Sequence, residues 1–316
     1  MLLLNESETA AALSWGALIE ALETMFRSEC VMPTRHHHEV EVPEGADATL
    51  LLMPAWVPGR YVGVKLVSVY PDNHKSSLPA IHGSYLLTSG KTGEMLAVID
   101  GGELTARRTA AASALAARYL AAPGAEAMVM VGTGRLSLNL IQAHSMVRPL
   151  KRISIWGRSI EKAEATAQEA RVLGFDASVC TDLESAVRSA DIISCATLSS
   201  TPLVRGAWLK PGAHLDLVGA FKSSMRESDD EAVAKASVYV DTREGALAEA
   251  GDLLQPIAAG AFSADRIRGS LKDLVSGAVE GRKSPDEITL FKSVGAALED
   301  LAGAILAYES VTGKSA

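Results

Sequence analysis

The chain has 316 residues, about twice the size of a common domain, so two domains are expected. Apolar residues make up 48% and charged residues 22%, which excludes a disordered chain. Thirty Lys plus Arg against 38 Asp plus Glu leave a net charge of −8, which argues against a nucleic-acid backbone as partner but not against a local cationic pocket.

The start, with three leucines followed by acids, lacks the basic n-region and apolar core of a secretory signal. No stretch approaches ~18 apolar residues, so no membrane span is expected. Cys30, Cys180 and Cys195 are odd in number and scattered, which fits a reducing compartment and makes a cytoplasmic protein the expectation.

Residues 7–27 read as one helix, with Leu13, Leu18, Leu22 and Phe26 at helical spacing. Beyond Pro33, residues 49–53, 61–70 and 82–87 read as strands separated by Pro-, Gly- and Asn-rich turns. Residues 104–121 are Ala-rich, free of Gly and Pro, and read as a helix ended by Pro123-Gly124. Strands are then predicted at 127–131, 152–156, 177–180, 191–196, 214–218 and 237–241, with helices to about 147 and at 161–173 and 183–189. Such continuous apolar runs alternating with helices are the pattern of a parallel sheet covered on both faces. Residues 284–308, opened by Ser284-Pro285-Asp286-Glu287, read as a closing helix carrying Gly295 and Gly303.

The strongest local signal is Val129-Met130-Val131-Gly132-Thr133-Gly134-Arg135-Leu136-Ser137, a strand running through a glycine turn into a helix. Gly132 permits the tight turn, Gly134 lets backbone approach a pyrophosphate at the helix start, and Ser137 is small enough for close packing. At the end of the next strand stands Trp156-Gly157-Arg158-Ser159, with a cation where a site for NAD carries an acid. Arg158 and Ser159 suit a 2′-phosphate, so NADPH is expected, with NADH weaker; Arg158 also fits an exposed residue pairing with Glu161 or Glu164.

Other residues point less sharply. His36-His37-His38 invites a metal, but alternate residues of a strand face opposite ways and no supporting ligand lies nearby, so none is expected. Asp229-Asp230-Glu231 reads as an acidic helix start. His82 fits a hydrogen-bonded strand histidine better than an acid catalyst.

Met32-Pro33-Thr34-Arg35, Gly63-Val64-Lys65, Leu104-Thr105-Ala106-Arg107-Arg108-Thr109, the Gly132-Thr133-Gly134 turn, Leu209-Lys210-Pro211-Gly212 and Ile288-Thr289-Leu290-Phe291-Lys292-Ser293-Val294-Gly295 together resemble the ornithine cyclodeaminase/mu-crystallin family. The likeness runs in order along nearly the whole chain. It implies an α/β protein with a Rossmann NAD(P)-binding domain, residues 116–287, inserted in an α+β substrate-binding and dimerisation domain, residues 1–115 and 288–316. The active site is implied to lie in the cleft between them and the assembly to be a homodimer. It further implies that Arg35, Lys65 and Arg108 grip a substrate carboxylate, Lys65 and Arg108 being catalytic and His82 and Phe221 lining the site. Taken singly, Arg35 fits a loop charge, Lys65 a strand residue reaching for water, and Arg108 a helix-surface residue. Thr109, Gly132, Thr133, Gly134, Arg135, Leu136, Arg158, Ser159, Ala196, Thr197, Val218 and Lys292 are the expected cofactor contacts.

Cyclodeaminases of the family carry an aspartate in the loop after the strand at 214–218, in a Gly-Asp-x-x-Gly-Lys context; here the loop reads Val218-Gly219-Ala220-Phe221-Lys222-Ser223-Ser224-Met225-Arg226-Glu227, and that aspartate is absent. An apolar wall suits a ring better than a free ammonium. This form resembles the imine-reductase branch, which implies NADPH-dependent reduction of a cyclic imine carboxylate, Δ1-pyrroline-2-carboxylate or Δ1-piperideine-2-carboxylate, to L-proline or L-pipecolate. No acid for protonating the imine is evident in the sequence. The competing expectations are ornithine cyclodeamination, an alanine-type dehydrogenase, a hydroxyproline dehydratase side activity, and an NADPH-bound binding protein without catalysis.

Overall fold

The structure, a computed structural model, describes residues 1–314. It divides into two compact units, Met1–Arg108 with the segment from Ala297 onward, and Thr109–Ala296.

The first unit contains β1 (Leu2–Leu4), α1 (Glu6–Ala12), α2 (Trp15–Arg27), β2 (His36–Val40), β3 (Ala48–Val57), β4 (Tyr61–Val69), β5 (Ile81–Ser89) and β6 (Met95–Asp100). It also holds the first turns of α3 (Gly101–Leu120) and the C-terminal helix, Ala297–Thr312. The sheet order is β1-β6-β5-β4-β3-β2, antiparallel except for the β1–β6 pair. The amphipathic α2 buries Leu18, Ile19, Leu22, Met25 and Phe26, and the C-terminal helix packs on α2 and across β3 and β4. Gly303 permits that packing, because a Cβ there would lie 2.7 Å from Leu104 Cδ1.

The expected helix over 7–27 is two helices. Asn5 closes a capping box on α1, and the chain turns extended at Ser14, the residue that starts α2. Strands β2 and β6 carried no clear apolar alternation; four of the five residues of β2 are exposed, as befits an edge strand.

The second unit contains β7 (Ala127–Val131), α4 (Arg135–Ser145), β8 (Arg152–Trp156), α5 (Ile160–Val172), β9 (Ala177–Val179), α6 (Leu183–Ser189), β10 (Ile192–Cys195) and β11 (His214–Leu217). After these come α7 (Asp230–Lys235), β12 (Ser237–Val240), α8 (Arg243–Glu249), α9 (Gly251–Ala258), β13 (Ile267–Ser270), α10 (Leu271–Ser276) and β14 (Thr289–Lys292). The eight strands are all parallel, in the order β13-β12-β14-β11-β10-β7-β8-β9. Read from β9 to β14 this is the 3-2-1-4-5-6 order of a dinucleotide-binding sheet, with β12 and β13 added beyond it. The expected α/β class with a Rossmann sheet is what the chain forms.

The closing segment departs from expectation. Its helix starts at Ala297, not at 284, because Thr289–Lys292 is wholly buried and pairs with both β11 and β12. Gly295, at φ 84, then turns the chain, and Asp241 fixes that turn by accepting from Ser293 Oγ (3.0 Å), Val294 N (2.8 Å) and Gly295 N (2.7 Å). The units divide at 108/109 and 296/297, where 115/116 and 287/288 were expected; the second boundary lies later because β14 is an interior strand of the second sheet.

Candidate active site: a carboxylate clamp and a dinucleotide cradle

In the first unit Lys65 stands in the middle of β4, opposite Tyr85 on β5. Gly63 makes room for the tyrosine, whose hydroxyl occupies the space a Cβ at 63 would need. Arg108 arrives from α3. Both cations are buried, at 3% and 4% exposure, and meet two acids from the first turn of the C-terminal helix. Lys65 Nζ lies 2.8 Å from Asp300 Oδ2, Arg108 Nε donates to Asp300 Oδ1 at 2.9 Å, and Arg108 Nη1 donates to Glu299 Oε2 at 2.5 Å.

Arg35, half-buried just before β2, is near enough for its charge to act on Lys65. Burial pulls the Lys65 pKa down to about 8; Asp300 opposes the fall, while Arg108 and Arg35 deepen it. Burial also works against the charge of Arg108, but Asp300 and Glu299 outweigh it and raise its pKa. Two carboxylates thus meet Lys65 and Arg108, and Arg35 adds a third cation within electrostatic reach of Lys65. The Tyr85 hydroxyl is buried with no hydrogen-bond partner among the described residues, and burial followed by the Asp300 charge raises its pKa.

The second unit supplies a cradle. Gly132, at φ 128, ends β7 with its Cα against β10: a Cβ there would lie 2.8 Å from the Ala196 carbonyl oxygen. Ser137 Oγ donates to the Gly132 carbonyl at 3.0 Å, and Gly134 caps α4 with open space where a side chain would stand. Exposed amides at the start of an 11-residue helix are a site for phosphate. Beside it a cavity of about 400 Å³ is lined by Gly132, Thr133, Trp156, Arg158, Ala196 and Thr197, among others. Arg158 is exposed there, while Ser159 caps α5 by accepting from Lys162 N (3.2 Å) and donates to Glu161 Oε2 (2.7 Å). Arg135 is exposed on the first turn of α4 and Leu136 half-buried behind it; Thr109 is buried on α3. Val218, nearly buried, opens the loop after β11. These residues fit a dinucleotide.

The loops after β10 and β11 are braced from beneath by Glu227. Its Oε1 accepts from Thr197 N (2.6 Å) and Thr197 Oγ1 (2.8 Å), and its Oε2 from Gly219 N (2.9 Å) and Ala220 N (3.3 Å). Asp252 Oδ1 in turn accepts from Glu227 N at 2.7 Å, and Asp252 Oδ2 pairs with Lys292 Nζ at 3.0 Å.

Three expected residues have surroundings that the sequence did not show. Lys292 is wholly buried and committed to Asp252, so it acts on a cofactor only through the loops it helps to pin. His82 pairs with Ser68, three positions from Tyr85, so strand alternation sends its side chain out of the sheet face opposite to Lys65. Phe221 is 37% exposed on the loop after β11, with Lys222 Nζ 5.9 Å from its ring centre. Sequence reasoning missed Glu299 and Asp300, and it gave Glu227 no role. The first two were detectable as adjacent acids inside the apolar run Ala297-Leu298-Glu299-Asp300-Leu301-Ala302. His36 and His38 share one side of β2 with ring centres 6.3 Å apart, and among the described residues no group of three or more His, Cys, Asp or Glu could hold a metal. Nor is any described helix long and apolar enough to cross a membrane.

Known proteins place this architecture. The chain is 36% identical over 301 residues to Δ1-pyrroline-2-carboxylate reductase of Paracoccus denitrificans, covering 94% of this chain and 93% of that one. Among solved structures it is similar to Thermococcus litoralis Δ1-pyrroline-2-carboxylate reductase in complex with NADH and L-proline, with a TM-score of 0.92, 34% identity and coverage of 99% and 98%. An archaeal alanine dehydrogenase dimer with bound NAD superposes with a TM-score of 0.90 at 28% identity, covering 100% of this chain and 98% of that one. The sequence profile of the ornithine cyclodeaminase/mu-crystallin family matches residues 1–315, and the chain belongs to that family.

Proposed function

We propose that the protein is an NADPH-dependent reductase of a cyclic imine carboxylate, Δ1-pyrroline-2-carboxylate or its six-membered homologue, forming L-proline or L-pipecolate. The observation that carries this over cyclodeamination is the loop after β11: residues 218–224 hold no acid, and the next carboxylate, Glu227, is turned inward onto four donors of the loops themselves. Nothing in that loop would hold a substrate ammonium. The reductase names of the P. denitrificans and T. litoralis relatives support the same reading.

When bound, the nicotinamide would supply a hydride from C4 to C2 of the imine, whose nitrogen is protonated from water beforehand, so that hydride addition yields the neutral ring amine. The chain's own residues bind and orient. Arg108 and Lys65, held by Glu299 and Asp300, take the carboxylate with Arg35 and fix the ring. Gly132, Thr133 and Gly134 present backbone to the pyrophosphate at the head of α4. Arg158 reads the 2′-phosphate at the edge of the cavity beside β8, which is the basis for preferring NADPH. A homodimer is proposed from the family and from the dimeric neighbour, and sedimentation at twice the chain mass would support it.

The deciding experiment follows loss of reduced-cofactor absorbance on adding each imine. Turnover with either supports the reading; tight NADPH binding without oxidation by any cyclic imine overturns it in favour of a binding protein. Arg158→Ala should raise the KM for NADPH about tenfold, as for one lost charge-assisted contact, and leave that for NADH nearly unchanged. Equal losses would remove the 2′-phosphate role.

A further inference from the structure

Five charged side chains are gathered in the first unit; in the reaction described above the three cations take the substrate, and the two acids do no more than hold cations. Acids in the first turn of a helix ordinarily face water and offset its dipole. Glu299 and Asp300 are instead 0% exposed. Asp300 is the shared member of the cluster, with one oxygen 2.8 Å from Lys65 Nζ and the other accepting from Arg108 Nε at 2.9 Å. The groups facing Lys65 are Asp300 from the C-terminal helix, Arg108 and Thr105 from α3, Arg35 from the segment before β2, and Tyr85 from β5. Asp300 is the only one of these that carries negative charge and touches the ammonium. Arg107 shows the alternative, since it is satisfied on its own helix by Glu103 at 2.7 Å and gives the fold no reason to bury two more acids.

We propose that Asp300 is a positioning residue of the clamp: it fixes the Lys65 ammonium and the Arg108 guanidinium at one spacing for a substrate carboxylate and keeps Lys65 protonated in a site that disfavours its charge. Glu299 is the second anchor of Arg108. The proposal rests on the reading of Lys65 and Arg108 as the carboxylate clamp. It gives the acids a functional role beyond stability, because without Asp300 burial and the charges of Arg108 and Arg35 all act against the Lys65 ammonium. The low pKa of Lys65, about 8 with Asp300 in place, supplies a titration that reports on the arrangement.

The test is binding of pyrrole-2-carboxylate, a planar carboxylate with no basic nitrogen, to the NADPH-loaded protein from neutral pH to about pH 10. In the unaltered protein affinity should hold to about pH 8 and then fall close to tenfold per unit, as one proton is lost from Lys65. In Asp300→Asn the affinity at neutral pH should drop about tenfold or more, and the fall should begin about one unit or more lower, since the neighbour that opposes deprotonation is gone. Asp300→Glu should recover part of both. Glu299→Gln should weaken binding without moving the pH of the fall. An Asp300→Asn protein that binds NADPH normally and falls at the unaltered pH would overturn the proposal.

Lys65→Arg decides the matter even where Asp300→Asn does not fold: with an arginine that does not titrate, the alkaline fall should vanish, and its persistence would overturn the role of Lys65 and of Asp300 with it. The assay needs no turnover. A protein that binds with this profile but reduces no imine would remove the reductase reading alone, and one that reduces the imine with an unmoved profile in Asp300→Asn would remove this proposal alone.

Discussion

Arg107 and Arg108 are neighbours in one helix, and their opposite fates show what decides a residue's role. Arg107 donates to Glu103 at 2.7 Å and to the Leu13 carbonyl at 3.0 Å, and its guanidinium lies 4.8 Å from the ring centre of Trp15. It ties α3 to the start of α2. Arg108, about 100° further round the helix, points at Glu299 and Asp300. Arg107→Ala should therefore cost about 1–2 kcal/mol of stability in a denaturant titration and leave the imine KM within about twofold. Arg108→Ala should lower kcat/KM about a hundredfold or more while NADPH affinity stays near normal, as for truncating one member of a buried charged set. A reversed pattern would mean that the two arginines have been assigned the wrong way round. The cations of the clamp were legible in the sequence through their motifs. Their counter-charges were not, because adjacent acids at a helix start have an ordinary explanation and only burial removes it. The surroundings of His82 and Lys292 were hidden for the same kind of reason: which face a strand residue takes, and whether a lysine reaches solvent, depend on register and on partners far along the chain.

Elements were most legible where both faces are covered. The runs that became β7 and β10 are apolar along nearly their whole length and wholly buried, and neither neighbours nor register could disguise them. The segment after 284 misled because Ser284-Pro285-Asp286-Glu287 is a good local helix signal, yet the next residues enter the middle of a sheet. Pairing with strands some 50 to 70 positions earlier overrides the local preference. The loops of the cradle carry a second lesson, since their shape depends on Glu227, which lies beyond them. Gly219 passes so close to Thr197 that a Cβ would lie 2.1 Å from its backbone, and Glu227 is the acceptor that makes this approach worthwhile for both loops. Burial pushes the Glu227 pKa up to about 7, against the pull of Lys292 and with the help of Asp252. The ionised form accepts all four loop donors, and the protonated form gives up part of that capacity. NADPH affinity should thus decline as pH drops below about 7. Glu227→Gln, which turns an amide N–H₂ toward backbone donors, should weaken NADPH about tenfold at neutral pH and flatten the acid decline. Unchanged NADPH titrations across this range would show that the brace does not govern the cofactor.

At the scale of the molecule, the two units differ in how the chain builds them. The second is continuous from Thr109 to Ala296 and closes its own eight-stranded sheet. The first is interrupted: its sheet is complete by Asp100, but the helix that covers β3 and β4 comes from the far end of the chain. That helix brings Leu298, Leu301, Ala304 and Ala307 to the core and also the two acids that neutralise Lys65 and Arg108. Loss of the last helix would expose an apolar surface and strand two buried cations at once, and stranded buried charge is the costlier defect. A chain ending at Ala296 should therefore affect the clamp and the cradle differently. It should keep NADPH affinity within about threefold, because every residue of the cradle and of the Glu227 brace is retained. It should bind pyrrole-2-carboxylate undetectably and show an early, separate unfolding step for the first unit, so that two-state behaviour is lost. Calorimetry with and without NADPH distinguishes the steps, since the ligand raises only the transition of the unit that binds it. A single cooperative transition at the temperature of the intact chain would mean that the C-terminal helix is dispensable to the first unit, and with it the charge balance on which the clamp depends.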